Sequence, residues 1–356
     1  MAFQDRLKLA RARAGLSLAA LAAKVEPKVT PQAINKYERG EMMPSSSVLL
    51  GLGNALGVSL DFLLSSQVSA LEGVEFRKKS SVTAKEKALI EAEVIDHVER
   101  YLAVEEALGL PEEASELDAI KPIAIDAIEK ADEAANQLRH KWDIGGDPIP
   151  SMTALLEERR VRVLRIEAPD AFSGLTCEVH RPGNRAAVRV IVHRHFNVER
   201  NRFTLAHELG HAVISSCTGA KLEPAINRFA ATFLIPTEHL RNEIGHHRTV
   251  LGYRELVQLK HTYGVSMMCL LHRLKDVGVM SEDKLKNLYR TPARSWLKSE
   301  PEPLSEDGDI AQLERPRRFE LYVYRAVAEG LVSPVKAAAL LRKPVQDVEK
   351  AICGPS

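Results

Sequence analysis

The sequence lacks long apolar runs, paired cysteines and a strong charge of either sign. No stretch approaches the ~18 to 20 uninterrupted apolar residues that a membrane span needs, and the N-terminus has the pattern of a basic amphipathic helix rather than a cleavable signal. We therefore expect a cytoplasmic protein with no membrane partner. The four cysteines form no CxxC pair, which argues against a disulfide framework and a cysteine zinc knuckle. A net charge of +1 argues against binding polyanions over the whole surface.

The character of the sequence changes along its 356 residues, as expected for two or three domains. A stretch rich in Ala and Glu has helical periodicity from Thr83, is interrupted at Gly109–Pro111 and resumes as far as Trp142. This pattern predicts two long helices. Farther on, Glu300–Asp309 is acidic and rich in proline, which predicts a linker to a last helical segment. Between these regions, β-branched runs predict short strands at 161–166, 176–179 and 187–192.

The first 64 residues have the pattern of short helices joined by tight turns. Thr30 and Pro31 form an N-cap followed by a first-turn proline, and the helix that starts there carries Gln32, Asn35 and Lys36. A helix-turn-helix needs such a polar helix after a turn, because that helix enters the major groove of DNA. The predicted helices are Phe3–Ala14, Leu18–Val25, Pro31–Glu38, Ser45–Leu56 and Ser59–Leu64.

The run from Gly15 to Leu64 resembles the XRE (lambda repressor-like) helix-turn-helix family, and the resemblance extends over about Phe3–Leu64. It is specific in the strings NKYERG (35–40) and LGVSL (56–60). The chain departs from the family in the turn Glu26–Val29, which is longer than usual, and in Leu18, where a glutamine that contacts DNA is common. The resemblance implies a DNA-reading helix whose contacts come from Thr30, Gln32, Ala33, Asn35, Lys36 and Arg39.

The charge of this segment bears on how it would bind DNA. Residues 1–70 carry eight basic and five acidic side chains, a balance of +3. Few phosphate contacts are then available per chain, so useful affinity requires a homodimer on a palindromic double-stranded operator. The alternative is an all-α five-helix domain with no nucleic-acid role.

A metal-site motif lies inside a second amphipathic helix. Residues four apart stack on one face of a helix, so His207 and His211 of the string HELGH can direct their imidazoles at one ion, with Glu208 in reach of a water on it. Two histidines leave the usual zinc site short of a protein ligand. After a turn at Ser215–Lys221, the next helix returns alongside the first. Its Glu223 is the candidate third ligand, although the helix dipole alone also favours a glutamate there.

Together, RFTLAHELGH (202–211) and EPAINRFAATFLIP (223–236) resemble the ImmA/IrrE metallopeptidase family, over about Gln137 to Leu274. That family places its metal ligands at both histidines and at the glutamate four positions before the asparagine, here His207, His211 and Glu223. The resemblance implies a Zn2+ cofactor and hydrolysis of a peptide bond, with Glu208 as the general base. Candidate oxyanion donors, each of a type more often packed or at the surface, are His193, His195, His246, His247 and Tyr253.

These features predict a mainly α fold with one small α+β, zincin-like domain. The expected order is an N-terminal five-helix, lambda repressor-like DNA-binding domain (1–70), a helical spacer (71–142), an ImmA/IrrE-type zinc metallopeptidase domain (143–298) and a small helical C-terminal module (310–356). We expect the C-terminal module to serve packing or a dimer contact. A second DNA-binding unit is the alternative.

The resemblances imply a transcriptional regulator that also carries a peptidase domain. As a peptidase, the chain would cleave itself or a partner, such as an XRE-type repressor or a toxin partner. As a DNA-binding regulator, it would occupy an inverted repeat. As a sensor, a catalytically idle zinc domain would bind a ligand and modulate DNA binding, for example in an antitoxin-like regulator. We expect the first two functions together in one chain, with the idle sensor as the alternative.

Overall fold

A computed structural model describes residues 1–73, 83–168, 172–183, 185–245, 248, 251–285, 296 and 299–354. These residues fold mainly into helices with a few short strands, which confirms the predicted fold class. None of their helices combines the length and apolar character that crossing a membrane requires. Contacts divide the chain into two compact units. Unit 1 comprises 1–114, 166–192 and 317–356, and unit 2 comprises 115–165 and 193–316.

The described elements begin and end with helices. In chain order they are α1 (Phe3–Ala14), α2 (Leu18–Lys24), α3 (Pro31–Glu38), α4 (Ser46–Leu56), α5 (Leu60–Leu64), β1 (Ala70–Glu72), α6 (Ala84–Ala107), β2 (Ile123–Ile125), α7 (Lys130–Lys141), α8 (Met152–Glu158), β3 (Val161–Ile166), β4 (Gly174–His180), β5 (Val188–Arg194), α9 (Val198–Val213), β6 (Ile214–Cys217), α10 (Leu222–Leu234), α11 (Thr237–Ile244), α12 (Tyr253–Tyr263), α13 (Met267–Asp276), α14 (Asp309–Leu313), α15 (Arg318–Ala328), α16 (Pro334–Leu341) and α17 (Val345–Cys353).

The N-terminal helices of unit 1 form close to the predicted positions because their caps are in place. The side chains of Ser17, Thr30 and Ser59 each accept a hydrogen bond from the backbone N–H three residues on, at 3.0 to 3.1 Å. The long turn between α2 and α3 approaches α4 closely, since a Cβ on Gly51 would lie 2.0 Å from the carbonyl oxygen of Glu26. A glycine on the neighbouring helix therefore makes room for the longer turn.

Helix α1 packs along α6 through a buried ion pair. The guanidinium of Arg6, which is fully buried, donates to Oε2 of Glu99 at 2.9 Å and to the carbonyl oxygen of Phe62 at 2.8 Å. A buried guanidinium is costly unless a carboxylate and further acceptors satisfy it. The pair therefore fixes the N-terminal helices on the first helix of the predicted spacer.

The C-terminal helices also pack on α6. Arg342 after α16 pairs with Glu93 at 2.8 Å and with Asp96 at 2.7 Å. A cluster of buried apolar side chains lies beside these ion pairs. Such a cluster is what the predicted packing role of the C-terminal module requires. The shared core comprises Val104 of α6 with Val323, Ala326, Ala337, Ala338, Leu340 and Val348.

Three strands of unit 1 lie side by side in the order β1, β4, β5. Strand β1, which follows the N-terminal helices, pairs antiparallel with β4, so that Ala70 lies opposite His180, and Leu71 opposite Val179. The backbone N–H of Ser69 extends this pairing with a hydrogen bond of 2.8 Å to the carbonyl oxygen of His180. The segment after the helix-turn-helix pattern thus joins the β-structure of residues 174–192.

In unit 2, the prediction of a second long helix before Trp142 is wrong. The chain instead forms a 3-10 turn at Glu116–Ala119, strand β2 and the shorter helix α7. Pro122 has no N–H for a helix interior, and β2 pairs in parallel with β6, with Ile123 opposite Ile214 and Ile125 opposite Cys217. A strand partner about ninety residues away therefore overrides the local helical pattern.

The prediction of a linker at Glu300–Asp309 is wrong for the first part of that segment. The Nζ of Lys260, which is fully buried, lies 2.9 Å from Oε1 of Glu199 and 3.0 Å from Oε1 of Glu300. The N–H of Leu304 donates to the same oxygen of Glu199 at 2.8 Å. Because a buried ammonium needs carboxylates around it, the acidic segment is attached to unit 2.

The compact units divide the chain differently from the four predicted segments. Residues 115–142 of the predicted spacer cluster with unit 2, and residues 166–192 cluster with unit 1. The four segments stay a prediction about folding domains.

Candidate metal centre and DNA-reading helix

The two histidines of the HELGH string lie on one face of α9. The helix begins where the side chain of Asn197 accepts a hydrogen bond from the backbone N–H of Arg200 at 3.1 Å, which satisfies one free donor of the first turn. Along this helix, the ring centroids of His207 and His211 lie 5.1 Å apart with 61° between the ring planes. The predicted spacing therefore brings both imidazoles together.

Helix α10 approaches α9 closely enough to add a carboxylate. A Cβ on Gly210 would lie 2.9 Å from the ring of Phe229 and 3.1 Å from Ile226, so only a glycine lets these two side chains pack on α9. Both are fully buried. The small residue inside the HELGH string thus sets the separation of the two helices and the reach of Glu223 at the start of α10.

Glu223 completes a group of three candidate ligands. Its Oε2 lies 3.4 Å from Nε2 of His207, and its Oε1 lies 3.4 Å from Nε2 of His211. One ligand atom from each residue lies within 4.8 Å of the others, and the described residues contain one such group. Ligand atoms about 2.0 to 2.1 Å from a tetrahedral zinc ion lie about 3.3 to 3.4 Å apart. Two imidazoles and a carboxylate at this spacing fit zinc and leave one position for water or substrate.

The candidate centre is buried on one side and open on the other. Glu208 is 2% exposed and His207 5%, whereas the side chain of Glu223 is 53% exposed. A carboxylate in such a buried position has the low-dielectric surroundings that strengthen its interaction with a nearby cation. The centre is therefore accessible to solvent on the side of Glu223.

The candidate oxyanion donors have different environments. His193 is buried and its Nδ1 bonds to the carbonyl oxygen of Arg194 at 3.0 Å, and burial lowers the pKa of His193 to about 4. His195 is exposed and lines a cavity of about 210 Å3, and Tyr253 is 42% exposed. His246 and His247 lie outside the described residues. The role of these side chains in catalysis stays a prediction.

The predicted DNA-reading residues lie on α3 and at its two ends, where Thr30 is the N-cap and Arg39 the C-cap. Ile34 and Tyr37 of this helix are buried and hold it on the rest of unit 1. The hydroxyl of Thr30 caps the helix by accepting from Ala33 N–H at 3.1 Å, and Arg39 pairs with Glu41 at 2.9 Å. Of the predicted contacts, Ala33 is half-buried and the others, Thr30, Gln32, Asn35, Lys36 and Arg39, are exposed.

Two family models match parts of the chain that include these residues. Residues 7–63 match the family model described as helix-turn-helix, and residues 157–275 match the model described as IrrE N-terminal-like domain, a peptidase family. No curated protein matches the chain. The chain is a fusion of these two domain types. The matches support a DNA-binding regulator that carries a peptidase-like domain.

The IrrE-like domain contains charged residues that sequence reasoning missed. Arg202 of α9 is 1% exposed, and its guanidinium donates to the carbonyl oxygens of Ile149 at 2.7 Å and Pro150 at 3.1 Å. It also pairs with Glu314, whose carboxylate accepts from the backbone N–H of Met152 at 2.8 Å. The helix that carries HELGH is thus held to the start of α8 by a carboxylate beyond the end of the family match.

The sequence of α9 indicates that this helix has buried charges, whereas the sequences around the partner residues give no such indication. Glu199 and Arg202 occupy positions of an amphipathic helix that face the interior, where a charged side chain demands a partner. Nothing near Lys260 or Glu314 in the sequence marks either as that partner. Local reasoning could have flagged the two buried charges and could not have paired them.

Proposed function

We propose that this chain is a DNA-binding transcriptional regulator whose IrrE-like domain is a zinc-dependent endopeptidase. The observation that carries the proposal is the convergence of His207, His211 and Glu223 on one point, with the buried Glu208 next to His207 in the sequence of α9. The open side of the centre, where Glu223 is half-exposed, is compatible with a polypeptide substrate.

The three ligands and Glu208 have separate roles in this proposal. His207, His211 and Glu223 would hold the zinc ion, which supplies Lewis acidity and acidifies water when bound. Glu208 would accept a proton as water attacks the peptide carbonyl, and the same carboxyl would return the proton to the leaving amine. Its burial keeps competing solvent away from that carboxylate.

We further propose that the substrate is a protein of the regulatory circuit itself. The candidate substrates are the chain itself, an XRE-type repressor and a toxin partner. The DNA partner would be a palindromic double-stranded operator bound by a homodimer, because one α3 presents few cations.

The test replaces Glu208 with Gln in the full chain and compares cells that carry either version. New protein N-termini are catalogued by mass spectrometry, and zinc content is measured on the purified proteins. We expect termini that depend on Glu208, in this chain or in a second protein, while Glu208→Gln still binds zinc. Glu238→Gln is the matched control, since that side chain is 80% exposed. Cleavage that persists in Glu208→Gln would contradict the proposal.

A second function, a sensor without hydrolysis, is favoured by one observation. Residues 166–192 belong to the IrrE match, yet they cluster in unit 1 together with the helix-turn-helix. A ligand that stabilises one arrangement of that segment would then shift DNA affinity. The test measures operator affinity of Glu208→Gln with zinc and with a chelator. Affinity that does not change with the metal would exclude zinc as the sensed ligand.

A further inference from the structure

Helix α10 contacts both ring nitrogens of one candidate ligand. Asn227 follows Glu223 by four residues, so the two side chains leave the same face of α10. Nδ1 of His207 lies 2.8 Å from Oδ1 of Asn227, and Nε2 of the same ring lies 3.4 Å from Oε2 of Glu223. The orientation of the His207 ring is therefore defined from two sides by residues one turn apart.

The contact with Asn227 determines where the imidazole carries its proton. An amide oxygen can only accept a hydrogen bond, so Nδ1 of a neutral His207 must be the donor. Nε2 then keeps the lone pair that a metal ion requires. In the opposite tautomer, Nε2–H would donate to the Glu223 carboxylate and would have to lose that proton before a metal could bind. Asn227 and Glu223 thus accept a hydrogen bond from opposite tautomers of the ring. The contact to Asn227 is the shorter of the two, which favours the Nδ1–H tautomer that can bind a metal ion.

We propose that Asn227 is a positioning residue that holds His207 in the Nδ1–H tautomer and presents its Nε2 to the ion. The inference rests on the proposed function only in requiring that these ligands bind zinc. An amide is a neutral acceptor, so Asn227 fixes the ring without adding charge to the centre. A carboxylate in the same place would also accept from Nδ1 and would make the imidazole a stronger ligand.

The test uses two substitutions of Asn227 in the full chain, in the Glu208→Gln background so that hydrolysis does not interfere. Asn227→Leu keeps the branch at Cγ and removes the acceptor, and Asn227→Asp keeps an acceptor and removes the donor. The zinc dissociation constant is measured by competition with a chromophoric chelator. We expect it to rise about 10- to 100-fold in Asn227→Leu and to stay at or below the unsubstituted value in Asn227→Asp. Asn242→Leu, at an exposed asparagine of α11, is the matched control and should not change it.

A second readout needs no metal. Nitrogen-15 NMR of histidine-labelled, metal-free protein reports which nitrogen of His207 carries the proton. We expect Nδ1–H with Asn227 or with Asp, and a shift toward Nε2–H with Leu. Thermal unfolding of each variant establishes that the fold is retained, as the exposed position of Asn227 leads us to expect.

Several results would overturn the proposal. One is Asn227→Leu binding zinc as tightly as the unsubstituted chain while His207 keeps the Nδ1–H tautomer. Another is equal weakening by Leu and by Asp, because an acceptor role predicts rescue by Asp. If the unsubstituted chain binds no zinc, the proposed peptidase function fails, and the metal-free tautomers still decide the role of Asn227.

Discussion

The two helices that carry the sequence motifs, α3 and α9, differ in how much of each is buried. In α9, twelve residues of the sixteen are buried, among them Glu199, Arg202, His207 and Glu208. In α3, the buried residues are Ile34 and Tyr37, and the polar side chains face outward. A metal centre requires its ligands to be held in place by contacts within the chain, whereas a DNA-reading helix must leave its polar groups available to a partner.

This comparison predicts whether a substitution should change the stability of the fold or the binding of a partner. Around α9, removing a charged side chain leaves its buried partner without compensation, so the fold itself should lose stability. On α3, the same kind of change should affect binding and leave the fold intact. The predictions below extend this contrast to buried and exposed polar groups elsewhere in the chain, from the largest expected effect to the smallest.

The largest effect is expected for Glu314→Ala. The substitution leaves the guanidinium of Arg202 and the N-terminal N–H groups of α8 without their carboxylate, which should lower the free energy of unfolding of unit 2 by about 3 to 5 kcal/mol. Urea unfolding followed by tryptophan fluorescence reports this unit, since Trp142 and Trp296 both belong to it. Glu238→Ala is the matched exposed control. Equal stability of both variants would refute the contrast for α9.

A dependence of stability on pH is expected from His193. Burial lowers its pKa to about 4 in the folded protein, whereas the ordinary value is 6.5. As the pH falls below 6.5 the unfolded chain binds a proton that the folded chain does not, so stability decreases down to about pH 4. The loss amounts to about 3 kcal/mol. His193→Gln should lessen this acid sensitivity in urea titrations at several pH values, and His140→Gln, at an exposed position, should not. If the stability of His193→Gln depended on pH as that of the unsubstituted chain does, His193 would not be the source of the acid sensitivity.

Substitutions on α3 are expected to change DNA binding and to leave the stability of the fold nearly unchanged. Gln32→Ala and Asn35→Ala should each weaken binding to an operator selected from random DNA by about 1 to 3 kcal/mol per lost base contact and relax sequence preference. The free energy of unfolding should change by less than about 0.5 kcal/mol. Fluorescence anisotropy measures the first quantity and calorimetry the second. Asn54→Ala, on the exposed part of α4, serves as the control, and an unchanged preference would refute the assignment of α3.

The smallest effect is expected where α16 meets α5. Nζ of Lys336 lies 3.3 Å from Oδ2 of Asp61, and the two side chains are 53% and 84% exposed. An exposed pair of this kind contributes less than about 1 kcal/mol. Calorimetry of Lys336→Ala should therefore show nearly unchanged unfolding. A large loss would mean that this ion pair, rather than the apolar core around Val104, attaches the C-terminal module.

Much of the fold was accessible from the sequence because the relevant signals are local. The N-cap at Thr30 predicted a helix that the structure contains, and the β-branched run Val161–Ile166 predicted a strand that it also contains. The ligand set was accessible for the same reason, since the HELGH spacing and one short turn suffice to bring His207, His211 and Glu223 together.

The rest was inaccessible because its causes lie far away in the chain. Ile123–Ile125 becomes a strand only through its partner Ile214–Cys217. The acidic segment at Glu300 has the composition of a free linker, and only the buried Lys260 shows why it is attached. Likewise, room for the long turn at Glu26 depends on a glycine in another helix. Such pairings depend on tertiary structure, which local periodicity does not encode.

The attachment of Glu300 and Glu314 has a consequence for cutting the protein into fragments. A fragment that stops at residue 275, where the family match ends, would retain Arg202 without its partner Glu314, and Lys260 would keep Glu199 but lose Glu300. The buried guanidinium of Arg202 would then lack a carboxylate, which should destabilise its surroundings or draw water inside. Residue 316, where unit 2 ends, is the first sensible C-terminal limit for a piece that is to be crystallised or assayed by itself.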